Sequence, residues 1–394
     1  MQSIKLSGKE LKDTLHHVIL NNRELQNQNK KPVAYCISGH AGLGKTSIVE
    51  QLFDEVDLKH MYVLNLSQLD ELGDLVGIPV KEYYMVKEGE KGKWIDENLM
   101  QSFKEKGYDA TNNSRMSYSK PAWIAGKGEN GIFVLDDFSR CQPRFMQAVM
   151  EIVNKQEYIS WKLPKNWTIL LTENPDNGTY NVTDIDPATR SRLITLNLKY
   201  EPEVWAEWAE KNKIDQRCIN FMLLNPEIIK DDTPEINPRS MCKLFDSLIT
   251  VKDFESSLPL VQILAEGAVG PEVASMFTSF IANKMDKMIS PKKILDTTIP
   301  FDSIKDEIQE LIKSDTNYRA DLAFVLTTRL INYMLFTLED KEINSQLIKR
   351  IKDLITSNVI GTDLKFVLSK KIINGSSKFN ELLTDSKIVD IILE

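Results

Sequence analysis

The chain has 394 residues, 42% of them hydrophobic and 27% charged, and carries a formal net charge of −8. That length exceeds one ordinary core and predicts two or three domains, and the composition is that of a globular protein, not of a disordered or fibrous one. The acidic balance disfavours a broad electrostatic grip on nucleic acid, although a local basic channel in an oligomer stays open.

Cys36, Cys141, Cys218 and Cys242 show no paired spacing for a metal or a redox motif. Buried, reduced thiols in a reducing, cytoplasmic compartment are expected. The four histidines form no ligand pattern, and His16-His17 reads as ordinary helix surface. Met1-Gln2-Ser3-Ile4-Lys5 lacks the apolar core of a secretory leader. The longest apolar stretch, Leu322 to Leu338, is broken by Arg329 and predicts a buried helix, with no membrane span.

In chain order, Ser7-Gly8-Lys9-Glu10 has the form of a capping box, and Leu11, Leu15, Val18 and Ile19 mark one face of a helix running to about Leu25. The apolar run Val33–Ile37 predicts a strand, and directly behind it stands Gly39-His40-Ala41-Gly42-Leu43-Gly44-Lys45-Thr46. This is the phosphate-binding P-loop pattern. Its glycines let the backbone turn and aim N–H groups at an anion, Lys45 faces the β- and γ-phosphates, and Thr46 offers a hydroxyl to Mg²⁺. The helix from Ser47 onward, with Ile48, Val49, Leu52, Phe53 and Val56 at helical spacing, points its positive end at the same phosphates.

Met61–Leu66 predicts a second strand, followed by a long interval from Ser67 to Gly131. Intervals of this length in a compact domain usually carry structure, and short helices with a protruding hairpin around Tyr83 to Trp94 are expected there. Ile132-Phe133-Val134-Leu135 is a buried strand that ends in Asp136-Asp137, at the edge where an α/β sheet places its chemistry. A helix over Arg140–Val153, a hairpin over Gln156–Trp167 and a buried strand Thr168–Thr172 follow, the last running into Glu173-Asn174-Pro175. Trp161 and Trp167 fit either packing or a partner contact. Leu193–Leu198 is the last strand, and strands alternating with helices predict a parallel, three-layer α/β domain.

From about Glu201 the pattern turns helical. Asn237-Pro238-Arg239-Ser240 caps a helix carrying Met241, Leu244, Phe245 and Leu248, and Pro259–Ile281 reads as two helices around Gly267 and Gly270. Beyond the Pro291 and Pro300 breaks, Ile304, Ile308, Leu311 and Ile312 fit one helix face, and Ile343, Leu347, Ile351, Leu354 and Ile355 another.

Hydrolysis needs more than a phosphate cradle. Asp136 can hold Mg²⁺, Asp137 can orient and deprotonate a water, and Asn174 can hydrogen-bond that water or the γ-phosphate. Cations near the γ-phosphate would complete the site, the candidates being Arg190, Arg192 and Arg239.

The order Gly39–Thr46, Ile132–Asp137, Thr172-Glu173-Asn174-Pro175, Asp186-Pro187-Ala188-Thr189-Arg190-Ser191-Arg192-Leu193 and Asn237-Pro238-Arg239-Ser240 resembles the AAA+ ATPases. More narrowly it is similar to their MoxR-like branch, through Leu135-Asp136-Asp137-Phe138-Ser139-Arg140 with Gln147-Ala148 and Leu163-Pro164 downstream, then Asn174-Pro175. The likeness covers about Pro32 to Asn283. It implies a three-layer αβα P-loop domain over 1–199 with an insert around 80–128, an all-α lid over 200–290 and a C-terminal helical region over 291–394.

By that resemblance ATP lies on Gly39, His40, Ala41, Gly42, Leu43, Gly44, Lys45, Thr46 and Ser47, and Mg²⁺ on Thr46 and Asp136. Asn174 would be sensor 1, Arg192 an arginine finger acting on a neighbouring subunit's nucleotide, and Arg239 sensor 2. The family also implies a homo-hexameric ring and a chaperone-like role on a protein client, often one of von Willebrand factor A type. The second acid of the strand is usually glutamate in this family and here is Asp137, one methylene shorter, which predicts slow hydrolysis. Glu173 is a substitute base to consider. Two rival readings remain: a nucleotide-gated assembly scaffold with little turnover, and a ring motor stimulated by nucleic acid.

Overall fold

A computed structural model of the chain describes residues 4–176, 180, 182–183, 185–230, 232–313, 318–338 and 343–393. The chain forms two compact units, Met1–Lys199 and Tyr200–Glu394.

The first unit opens with the short strand β1 (Lys5–Leu6) and helix α1 (Gly8–Asn27). The capping box at its start is closed on both sides: the Glu10 N–H donates to Ser7 Oγ at 3.2 Å, and the Ser7 N–H donates to the Glu10 carboxylate at 2.8 Å. Strand β2 (Ala34–Ser38) leads through the glycine-rich loop into α2 (Lys45–Glu55), and β3 (His60–Asn65) and α3 (Leu72–Val76) follow. Next come β4 (Pro79–Lys87), β5 (Glu90–Asp96), α4 (Met100–Glu105) and β6 (Asp109–Tyr118). The unit continues with β7 (Gly131–Asp136), α5 (Pro143–Lys155), β8 (Glu157–Tyr158), β9 (Trp161–Lys162), β10 (Trp167–Glu173), α6 (Pro187–Arg190) and β11 (Leu193–Leu198).

Six strands form one sheet in the order β1-β11-β2-β10-β7-β3, and each neighbouring pair is parallel. Alternation along β7 sets the layers. Phe133 and Leu135 join the apolar cluster that holds Phe145, Val149 and Ile152 of α5, whereas Ile132 and Val134 join the one holding Leu11 and Leu15 of α1 and Val49 and Leu52 of α2. With helices on both faces, the central strands β7 and β10 read as continuous apolar runs, as predicted. Each buried Leu, Val or Phe contributes about 1.5–3 kcal/mol, so α5 alone, with its buried Phe145, Val149, Ile152 and Val153, is a major element of the core.

The interval before β7 is structured. β4, β5 and β6 make a separate antiparallel sheet in the order β5-β4-β6 over a small core of Met85, Ile95 and Tyr108. The expected hairpin is β4-β5. The third strand, β6, was not legible because its Thr111-Asn112-Asn113-Ser114 stretch is polar and mostly exposed, leaving no alternation to read. Where the chain enters this sheet, Gly77 sits at φ 88°, and a Cβ there would fall 1.8 Å from the Ser119 carbonyl oxygen, so only glycine fits. Trp161 and Trp167 prove to be packing residues: both are buried, and their indole N–H groups donate to Val76 O at 2.9 Å and Gly128 O at 2.8 Å.

The second unit is helical: α7 (Pro202–Lys211), α8 (Gln216–Leu224), α9 (Pro238–Ser247), α10 (Leu258–Ala282), α11 (Pro291–Ile294), α12 (Phe301–Ile312), α13 (Ala320–Asn332), α14 (Ser345–Thr356), α15 (Thr362–Gly375) and α16 (Ser386–Leu393). Residues 314–317 and 339–342 of the stretch expected to be helical lie outside the described residues. One apolar cluster gathers Phe221, Phe245, Phe254 and Phe277, and another gathers Ile304, Ile308, Leu330, Ile351 and Leu368. α10 is kinked where Gly270 (φ 78°) precedes Pro271, which accounts for the two-helix pattern of its sequence.

Arg329, which interrupts the apolar stretch, is buried in α13. Its guanidinium lies 3.6 Å from Glu210 on α7 and donates to Asn220 Oδ1 on α8 at 3.0 Å. Burial pushes the Glu210 carboxyl up and the Arg329 guanidinium down. Among the described residues no helix is long and apolar enough to cross a membrane.

Candidate active site

β10 lies between β2 and β7, so the carboxyl ends of these three strands bring the glycine-rich loop, Asn174 and Asp136-Asp137 side by side. Open parallel sheets bind ligands at this edge. In the loop Gly44 adopts the left-handed conformation (φ 86°, ψ 23°) that ends the turn and starts α2 at Lys45. Gly39 does not share that left-handed backbone, but a Cβ on it would press on Leu198 at 3.2 Å.

Lys45 is only 8% exposed, and its ammonium donates to Gly39 O at 2.5 Å, His40 O at 3.0 Å and Asn174 Oδ1 at 3.1 Å. Asn174 in turn donates from Nδ2 to Asp137 Oδ1 at 3.3 Å, so its amide bridges the lysine and the second acid of the strand. The Thr46 hydroxyl donates to Asp136 Oδ1 at 3.1 Å, which sets a hydroxyl and a carboxylate side by side. Oxygen donors of this kind suit Mg²⁺, a hard ion that keeps several waters, so Thr46 and Asp136 fit the role expected of them. Asp137 holds a left-handed backbone (φ 56°, ψ 39°), uncommon for a residue with a side chain and a form of strain that recurs at active sites.

Sequence reading missed three residues that organise these groups. The Thr172 hydroxyl donates to Asp136 Oδ1 at 2.6 Å and accepts the Asp137 N–H at 3.1 Å, fixing both acids from the neighbouring strand. Ser139 Oγ accepts the Asn174 N–H at 3.2 Å. The Tyr180 hydroxyl accepts the Ala41 N–H at 3.0 Å and lies 3.2 Å from His40 Nδ1. Thr172 could have been singled out by its place two residues before Asn174 on a strand flanking Asp136; Ser139 stands inside the Leu135–Arg140 match without a role being read for it, and nothing in the sequence marks Tyr180.

The arginine candidates part company. Arg190 Nη1 donates to both carboxylate oxygens of Glu173, at 2.8 and 2.9 Å, within the same chain. Burial works to lower the Arg190 pKa, but the Glu173 carboxylate outweighs it and the net shift is upward. Glu173, considered from sequence as a substitute base, is 3% exposed and has both carboxylate oxygens engaged by Arg190. Arg192 is exposed, with its Nη1 donating to Ala188 O at 2.6 Å. Arg239 is exposed in the first turn of α9, in the second unit.

Residues 34–193 match the AAA domain of the dynein-related subfamily. This likeness supports a nucleotide-binding P-loop domain of AAA type, and the match spans the glycine-rich loop, both strand-end acids, Asn174 and Arg192. No curated protein matches the chain. Among solved structures, a protein of Cytophaga hutchinsonii described as a candidate ATPase is similar at 14% identity, over 86% of this chain and 79% of that one, with a TM-score of 0.33. The Holliday junction branch migration motor RuvB of Thermotoga maritima is similar at 13% identity, over 74% of this chain and 76% of that one, with a TM-score of 0.34. Likenesses this distant say nothing about activity.

Proposed function

We propose that the chain is a Mg·ATP-hydrolysing AAA+ machine of MoxR-like type, working as a homo-hexameric ring that remodels or activates a protein client, with a von Willebrand factor A-type protein as the first candidate. The observation that carries hydrolysis is the run Lys45–Asn174–Asp137 beside the Thr46–Asp136 pair. Lys45 and the loop N–H groups hold the phosphates. Bound Mg²⁺ would neutralise charge on the β- and γ-oxygens. Asp137 orients a water and takes its proton, and Asn174, already bonded to both neighbours, keeps that water in line with the γ-phosphate. Arg192, on the surface, suits a role across a subunit interface, and Arg239 a role from the helical lid.

The test is steady-state phosphate release with Mg·ATP, with and without DNA or RNA, alongside the mass in solution. Turnover by a ring, unmoved by nucleic acid, is the expected result. ATP-dependent assembly without turnover would replace it with the scaffold reading, and strong stimulation by nucleic acid with steep salt dependence would replace it with the motor reading.

One observation keeps the scaffold reading in view: the base is an aspartate, whose shorter reach holds a water less well. Asp137→Glu is expected to keep or raise the turnover rate, by up to about tenfold. An inactive Asp137→Glu protein would mean that the site is fitted to the shorter acid.

A further inference from the structure

We infer that the Glu173–Arg190 ion pair is a positioning link, which passes what Asn174 meets at the γ-phosphate to the segment that presents Arg192. The inference rests on the proposed hydrolysis site and deepens it. Glu173 stands at a junction. Its carbonyl accepts the Gly39 N–H at 3.2 Å, its backbone pairs in register with Ser38, and the next residue is Asn174, whose amide holds Lys45 and Asp137. Its carboxylate leaves this junction for α6, where Arg190 Nη1 meets both oxygens. Burial and the Glu173 carboxylate together push the Cys36 thiol well up, in keeping with a charge held against β2.

α6 is a single turn, too short to fix its own orientation by helical hydrogen bonding alone. It is capped by Asp186, which accepts N–H bonds from Ala188 and Thr189, and Arg190 ties its far end to β10. Arg192 hangs from the same turn through Ala188 O. An ion pair whose arginine is partly open to solvent adds little stability, but one guanidinium nitrogen meeting both oxygens of a buried carboxylate restricts where the arginine can sit. A displacement of the β10 end on γ-phosphate binding is therefore carried to α6 as a unit, and Arg192 moves with it.

The test is amide hydrogen exchange across residues 187–198 of the full chain, with Mg²⁺ and either ADP or a non-hydrolysable ATP analogue. In the unsubstituted protein the analogue should slow exchange at least about threefold more than ADP. Glu173→Gln, which keeps the volume and removes the charge, should bind the analogue within about threefold of normal yet exchange alike with both nucleotides. Arg190→Lys, which keeps the cation as a point contact, should show an intermediate difference, an outcome a purely structural role would not give. A full difference in Glu173→Gln, or none in an unsubstituted protein that binds the analogue, would overturn the link alone. Loss of the fold in both variants would make the pair structural and overturn it too. Failure of the unsubstituted chain to bind nucleotide would overturn the proposed function as well.

Discussion

Lys45→Ala is expected to lower ATP turnover by on the order of 10³-fold, equivalent to about 4 kcal/mol of transition-state stabilisation. The ammonium is buried among the Gly39 and His40 carbonyls and Asn174 Oδ1, with its three N–H donors engaged, so on binding it exchanges one of these acceptors for a phosphate oxygen within a site that already holds it in place. In this dry setting a charge-assisted contact is worth far more than in water. The substitution also takes away the donor that orients Asn174, and with it the bond from Asn174 to Asp137, so on the proposed reading Asp137 should lose its alignment together with the phosphate contact. Affinity for ATP should fall by about a hundredfold. Lys45→Met, which fills the volume without the charge, should behave alike, and a thermal melt close to that of the unsubstituted protein separates a lost contact from a lost fold. Turnover above half the normal rate in either variant would sink the assignment of the glycine-rich loop.

The legible parts of this molecule were those where one physical constraint dominates. β7 and β10 are buried on both faces and read as unbroken apolar runs, and the Ser7–Glu10 cap and the Gly270-Pro271 kink are written in single residue types. β1 has only two residues, too few for a period, and is held by its parallel pairing with β11 across the length of the unit. β6 is a polar strand that exists because β4 offers it a backbone ladder, a tertiary cause that local pattern does not carry. The site divides in the same way. Lys45, Thr46, Asp136, Asp137 and Asn174 are adjacent in space because the strand order brings them together, and their motif spacing announced them. Thr172, Ser139 and Tyr180 make ordinary hydrogen bonds with ordinary side chains, which become meaningful only once their partners are known. Arg190 and Arg192 stand two residues apart with the same charge. Only the buried Glu173 carboxylate, drawing Arg190 inward, tells them apart.

That separation makes Arg192 the arginine to test for a shared site. On the proposed reading, Arg192→Ala should reduce turnover by about 10³–10⁵-fold, the range a charge-stabilising arginine commands in phosphoryl transfer, while nucleotide affinity stays within a few-fold. Among the described residues its guanidinium bonds a backbone carbonyl on its own turn, and it lies exposed, so removing it should leave the fold and the P-loop untouched. The decisive form of the experiment mixes Arg192→Ala chains with Asp137→Ala chains, each inactive alone. If a site takes Asp137 from one subunit and Arg192 from the next, a head-to-tail ring assembled at random from equal parts keeps about one quarter of its interfaces whole, and about that fraction of normal turnover should return. If both residues served the same chain's nucleotide, no mixture could restore a single intact site. Recovery that rises and falls with the mixing ratio, with its maximum near equal parts, therefore reports the interface itself; no recovery at any ratio, from chains shown to co-assemble, would count against it.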